Sequence, residues 1–347
     1  MHPARGGPAP IDVLIVSLGS TQGLRTADEQ LRDSLRRAGA EVAVARALPP
    51  ARRRTLMLTD LSWARAARAA AGHMLAQLRE HPPRAIVYSS TTASLLWPRP
   101  GAIRFDAPAA GNRPGRHGLW QRPLERRRLG QAPLLLPWSE GGLGEASSAL
   151  ARAGGALVLP VAVEPSGPSE RERDIAAITY AANPSKKGLD RVLQAWRAVC
   201  AHGGVEGELL VAGAGADQLE QAGLAAGGAG VRVVGHLARA EYRALLRRSR
   251  VFVCAPRRED YGIAQLEALA DGCQLVTTAA PGPYAALPIA RELDPRLVGE
   301  DLAAALRVAL DEPVPDYAAR ARAALAPFGG EAIDGLVARE LLPRLLA

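Results

Sequence analysis

Val251-Phe252-Val253-Cys254-Ala255-Pro256-Arg257-Arg258-Glu259-Asp260-Tyr261-Gly262-Ile263-Ala264-Gln265-Leu266-Glu267 reads as an apolar strand over 251–255, a charged loop, and a helix over 261–271. A short apolar run, a polar turn and a helix are the first parts of a βαβ unit. Glu259 lies in the loop, and Glu267 projects from the second turn of the helix, too far inside it to serve the helix dipole. Carboxylates accept hydrogen bonds from paired hydroxyls, and free N–H groups at Gly262, Ile263 and Ala264 suit a phosphate or a sugar hydroxyl.

The same alternation extends in both directions. In the second half, strands are expected at 176–181, 208–212, 231–234 and 274–278, and helices at 188–202, 239–249 and 302–310. In the first half, the apolar runs 11–17, 41–47, 84–90 and 133–138 read as strands, with helices over 26–39 and 61–79. A further apolar run covers 157–163, and 164–173 reads as a linker. Segment 102–128, rich in Pro, Gly and Arg, reads as loop, and 331–346 as an amphipathic helix. Strands alternating with helices imply parallel sheets covered on both faces, and 347 residues suggest two domains. No repeat of 20–50 residues is present, so a solenoid or propeller is not expected.

Composition narrows the function. No run reaches the ~20 apolar residues of a membrane-spanning helix, and the first residues lack the apolar core of a signal peptide, so a cytoplasmic protein is expected. Cys200, Cys254 and Cys273 are too scattered for a disulfide framework or a zinc site and read as reduced thiols. The net charge of +8 favours anionic partners. Much of the basic character falls in the first half, at Arg52-Arg53-Arg54 and at Arg113, Arg116, Arg122, Arg126, Arg127 and Arg128. No aromatic residues are interleaved as base-stacking platforms, so no nucleic acid is expected. Two readings stay open: a solvated basic face, or a surface for an anionic acceptor or for peripheral contact with the anionic inner membrane face.

Further features of the second half point to phosphate and sugar. Asn183-Pro184-Ser185-Lys186-Lys187-Gly188 falls between a strand and a helix, where backbone N–H groups and ammonium charges suit a diphosphate. Lys186 and Lys187 are the only lysines in the chain, so a compact ammonium is used here and nowhere else; a solvated helix start is the plain alternative. Val211-Ala212-Gly213-Ala214-Gly215 runs a strand into a glycine turn, but Gln218 stands where a dinucleotide fingerprint needs its third glycine. Val234-Gly235-His236-Leu237 ends a strand, placing the backbone of His236 and Leu237 for contact with a nucleobase. In the first half, Gly19 to Gly23 follows strand one, and Asp106 is a candidate for orienting an acceptor hydroxyl.

Ser185-Lys186-Lys187-Gly188-Leu189-Asp190, the Gly213/Gly215 turn, Val234-Gly235-His236, and Glu259 and Glu267 with seven residues between them together resemble the retaining glycosyltransferases of family 4, the glycosyl transferases group 1, over about residues 176–310. The resemblance implies an α/β protein of GT-B type, two Rossmann-like domains with parallel sheets facing a cleft. It implies an acceptor-side domain over 1–160, a nucleotide-sugar domain over 161–328, and a helix over 329–347 packing back on the first. The implied activity is transfer of a sugar, with retention and without a metal, from a nucleotide-sugar to an unidentified acceptor, such as a lipid- or polysaccharide-related glycan. UDP is favoured because it is commonest in the family. The nucleotide-sugar is a substrate, and no cofactor is expected.

Carried over by position, Lys187 holds the donor diphosphate with Lys186 beside it, Glu267 the ribose hydroxyls, and Glu259 the transferred sugar. Gly262, Ile263 and Ala264 offer backbone to phosphate or sugar, and Tyr261, His236, Leu237 and Gly19 complete the donor site. Lys187 and Glu259, with Asp106, are the catalytic candidates. Two departures stand out: Ala182 occupies the place of an arginine that partners the lysine, and 87–92 lacks a histidine the family often has. These favour a rival reading, a catalytically silent GT-B subunit that binds a nucleotide-sugar or a partner. A dinucleotide-dependent oxidoreductase is a more distant third.

Overall fold

The computed structural model describes residues 10–51, 53–113, 115–168, 172–201, 207–224, 228 and 230–347. Arg52, His202 and part of the 164–173 linker lie outside the described residues. The chain divides into two compact units, one made of residues up to Ala162 together with Gly330–Ala347, the other of Val163–Gly329.

The first unit holds five parallel strands, β1 (Val13–Ser17), β2 (Val42–Arg46), β3 (Ala85–Tyr88), β4 (Ala102–Phe105) and β5 (Leu135–Pro137), in the order β2-β1-β3-β4-β5. Every residue of β1 is buried, as expected of a strand covered on both faces. On one face Leu14, Val16, Ile103 and Phe105 pack with Ala67 and Ala71 of α2 (Leu56–Gln77). On the other, Val13 and Ile15 pack with Leu31 and Leu35 of α1 (Gln22–Arg37) and with Ile333, Val337 and Leu341. Thr21 and Thr55 cap these helices, accepting the N–H groups of Leu24 and Leu58.

The second unit repeats the scheme with β6 (Ile175–Tyr180), β7 (Leu209–Ala212), β8 (Val231–Gly235), β9 (Ser249–Cys254) and β10 (Gln274–Thr277), in the order β10-β9-β6-β7-β8. The order reverses between β6 and β9, so connections leave on opposite faces there and a crevice opens at the carboxyl ends of those strands.

Four segments differ from expectation. Residues 157–163 form no strand: Leu157 and Leu159 donate to Leu135 O and Pro137 O, and β5 itself ends at Pro137, so the pairing has no strand to follow further. Segment 102–128 contains β4 and the helix Gln121–Gln131. The strand was hidden by Arg104, which is buried with its guanidinium 5.2 Å from the Trp138 ring centroid and donates to Ala27 O. The described part of 164–173 is not a free linker, because Glu164 O accepts from Arg243 and Ser166 bonds to Asp271. The final helix is interrupted by a π turn over Val337–Leu341, where Leu342 N–H reaches Val337 O just ahead of Pro343, which has no N–H to give.

Candidate donor site in the second unit

The two loops that flank the β6/β9 reversal carry Lys187 and Glu259. After β6, Lys187 N–H bonds Asn183 O and Lys186 N–H bonds Asn183 Oδ1, winding the chain into a tight turn. Gly188 closes it with φ +61°, and a Cβ there would lie 1.8 Å from Ala255 O, so only glycine fits. The loops are then tied directly, Arg257 N–H to Lys186 O at 3.0 Å. Arg257 also forks onto both oxygens of Asp190 at 3.0 and 2.9 Å.

This backbone brings Lys187 Nζ to 2.6 Å from Glu259 Oε2, and Gln265 Nε2 donates to the same oxygen at 2.9 Å. Glu259 is 4% exposed and Gln265 1%, and the Gln265 carbonyl oxygen has no partner among the described residues. Beside them Lys186 Nζ meets Asp260 Oδ2 at 2.6 Å, and Arg258 Nε meets Asp260 Oδ1 at 3.0 Å. The helix Ile263–Ala270 starts at Gly262, φ +91°, without a side-chain cap, and its first bond is Leu266 N–H to Gly262 O. The N–H groups of Ile263, Ala264 and Gln265 therefore have no intrahelical acceptor and form the positive end of the helix dipole.

Glu267 lies one turn further along, buried, with three bonds on its Oε1: Arg239 Nη2 at 2.7 Å, Arg239 Nε at 3.1 Å and Arg243 Nη1 at 3.4 Å. Arg243 is itself held by Asp271 Oδ2 at 2.5 Å and Glu164 O at 2.7 Å. Gln265, Arg239, Arg243, Arg258 and Asp260 were not singled out from sequence. The spacing of Arg239 and Arg243, one helical turn apart, was the available signal, but their target is 24 to 28 residues away.

The other expected residues fall as follows. His236 is exposed, and its Nε2 lies 2.9 Å from Gln218 Oε1, which also accepts Gly215 N–H. Leu237 is half-buried. Tyr261 is buried, and its carbonyl accepts Ala285 N–H. Ala182 is exposed at the start of the lysine loop. Gly19 (φ +53°) and Asp106 belong to the first unit; Asp106 accepts from its neighbour Ala107 N–H at 2.8 Å. Nearby nucleophiles are unsuited to attack: burial raises the Cys254 thiol above its ordinary range and the Tyr284 phenol well above its own, so both stay protonated near neutrality. Among the described residues no group of three or more His, Cys, Asp or Glu is placed to hold a metal ion.

Residues 173–312 match the family described as Glycosyl transferases group 1. No curated protein matches the sequence. Solved structures are similar over almost the whole chain: sucrose-phosphate synthase from Thermosynechococcus elongatus (16% identity, 96% of this chain and 99% of that one, TM-score 0.65) and Anabaena HepE in complex with UDP (15%, 95% and 99%, 0.65). A third is WaaG, a glycosyltransferase involved in lipopolysaccharide biosynthesis (15%, 97% and 97%, 0.62). At such identities the likeness speaks to architecture, and the chain has the GT-B fold of two Rossmann-like domains, with its second unit similar to the glycosyl transferases of group 1.

Proposed function

We propose that the protein is a metal-independent, retaining glycosyltransferase that takes its sugar from a nucleotide-sugar, with UDP as the favoured nucleotide. The observation that carries the reading is the array at the β6/β9 crevice: Lys187, Glu259 and Gln265 joined through one carboxylate oxygen, beside an uncapped helix N-terminus. The match to Glycosyl transferases group 1 and the UDP held by the structurally similar HepE support the same choice. Lys187 and the helix N–H groups neutralise the departing diphosphate, Glu259 orients the transferred sugar, and Glu267 binds ribose hydroxyls. An acceptor hydroxyl oxygen bonds the anomeric carbon as its bond to the diphosphate breaks, and the hydroxyl proton passes to a leaving phosphate oxygen on the same face.

Turnover of UDP-sugars by the purified chain, with and without chelator and with the product's anomeric configuration read by NMR, tests each part. Activity that requires an added divalent ion, or an inverted product, refutes the corresponding clause. A second reading, a catalytically silent subunit, draws on Ala182 in place of an arginine and on the occupation of Glu267 Oε1 by two arginines. It predicts nucleotide binding without turnover for any donor.

Among the described residues no helix is long and apolar enough to cross a membrane. The start of α2 nevertheless exposes Leu56, Met57 and Leu58 just after the exposed Arg53 and Arg54. We infer peripheral contact with an anionic membrane face of a cytoplasmic protein, which sedimentation with anionic vesicles at rising salt checks. Equal binding to neutral vesicles refutes it.

A further inference from the structure

In the second unit the two oxygens of Glu267 are not equivalent. Oε1 receives three N–H groups, Arg239 Nη2 at 2.7 Å, Arg239 Nε at 3.1 Å and Arg243 Nη1 at 3.4 Å, which uses both of its lone pairs. Oε2 makes no hydrogen bond among the described residues. It is not sealed off either, because the side chain keeps 8% of its surface exposed and no partnerless atom of Glu267 is fully buried. The carboxylate has one saturated oxygen and one open one.

The two arginines differ in kind. Arg243 has a side chain 5% exposed and is locked by Asp271 Oδ2 and Glu164 O, so it belongs to the scaffold. Arg239 has a side chain 44% exposed, and its only hydrogen bonds among the described residues are the two to Glu267 Oε1. Nη1 and the second N–H of Nη2 are left without an acceptor among those residues. A guanidinium that simply neutralised the carboxylate would fork across both oxygens, one N–H to each. Here both bonds fall on one oxygen, so an open acceptor, Oε2, and open N–H donors lie side by side. Arg239 is also the first residue of the helix Arg239–Arg248, two residues beyond Leu237 in the loop after β8. Its place in the chain is between the backbone expected at the nucleobase and the carboxylate expected at the ribose. A vicinal diol matches the pair, since a hydroxyl both donates and accepts: one donates to Oε2 and its neighbour accepts from the guanidinium.

We propose that Arg239 determines ribose recognition in the nucleotide site: Glu267 takes one hydroxyl of the 2′,3′-diol through Oε2, and Arg239 donates to the other. The assignment rests on the donor reading above, in which Glu267 meets the ribose, and adds a contact that Glu267 does not make.

Calorimetric titration of the full chain and of its Arg239→Ala variant with UDP, 2′-deoxy-UDP, 3′-deoxy-UDP and UMP is the test. The parent binds each deoxy analogue about tenfold more weakly than UDP, the loss expected for one hydrogen bond to a charged group. Arg239→Ala weakens UDP and UMP alike by about tenfold, and it binds one deoxy analogue as well as UDP while still discriminating against the other. A variant that keeps the parent's discrimination at both hydroxyls overturns the direct contact. So does one that loses it at both, which leaves Arg239 acting only through Glu267. A variant that binds UDP more tightly than the parent marks Arg239 as a block, and UDP weakened with UMP unchanged transfers it to the diphosphate; either result overturns the proposal. The donor reading fails separately: UDP refused by the parent removes that reading and this contact with it, whereas UDP bound without these changes removes the contact alone.

Discussion

At the strand ends of the second sheet the buried carboxylates are matched by cations: Glu259 by Lys187, Asp260 by Lys186 and Arg258, and Glu267 by Arg239 and Arg243. In the first unit two buried carboxyls are not. Asp28 and Glu125 each leave one oxygen without a partner among the described residues, and burial raises both, Glu125 to about 7. Paired charges on a glycine-shaped backbone present an array that a charged diphosphate enters by exchanging partners. Burial favours the protonated form of these two carboxyls.

The comparison breaks first at the backbone. Gly188→Ala places a methyl 1.8 Å from Ala255 O, and a loss of more than ~4 kcal/mol in denaturant unfolding of the second unit is expected. A stable, active variant would mean that the turn does not hold Lys187 in place. Next comes the cation. Lys187→Ala should lower kcat by about 10²–10³, because it removes charge from the leaving diphosphate; an unchanged kcat would shift that role to Lys186 or Arg258.

The unpaired side is tested by pH. Folded Glu125 titrates at about 7 against an ordinary value of 4.5, so the folded state holds its proton longer than the unfolded chain does. Its contribution therefore declines as pH rises from about 4.5 to about 7, by up to ~3 kcal/mol, and Glu125→Gln should flatten that decline. A parent and variant with parallel stability profiles would put Glu125 among the ordinary carboxylates.

Within the paired side, Glu267→Ala should weaken both UDP and UDP-sugar by ~1.5–3 kcal/mol in calorimetry. Glu259→Ala should spare UDP and depress turnover. Equal losses of both affinities in both variants would contradict the division of roles. The smallest effect is expected at Gln265→Met, which removes one hydrogen bond from Glu259: turnover falls by a factor equivalent to ~1 kcal/mol, with UDP affinity retained. A loss of UDP affinity instead would assign Gln265 to nucleotide binding.

Several elements were legible because their reasons are local. Runs such as Val13–Val16 and Ile175–Ile178 are apolar throughout, as strands covered on both faces must be, and the helices between them carry their own periodicity. β4 was not legible, since Arg104 is made apolar-compatible by Trp138 and by a carbonyl on α1, both distant in sequence. The run 157–163 misled for the opposite reason: it is apolar, yet β5, the edge strand it pairs with, ends at Pro137.

By itself the sequence determined the alternation of strands and helices, the glycines that the lysine and carboxylate loops require, and the candidate residues Lys187, Glu259 and Glu267, because spacing along the chain expresses each of these. Only the tertiary structure decided the partners. Gln265 with Glu259 and Arg239 with Glu267 depend on side chains brought together by the fold, and hydrogen bonds between residues distant in sequence leave no period to read.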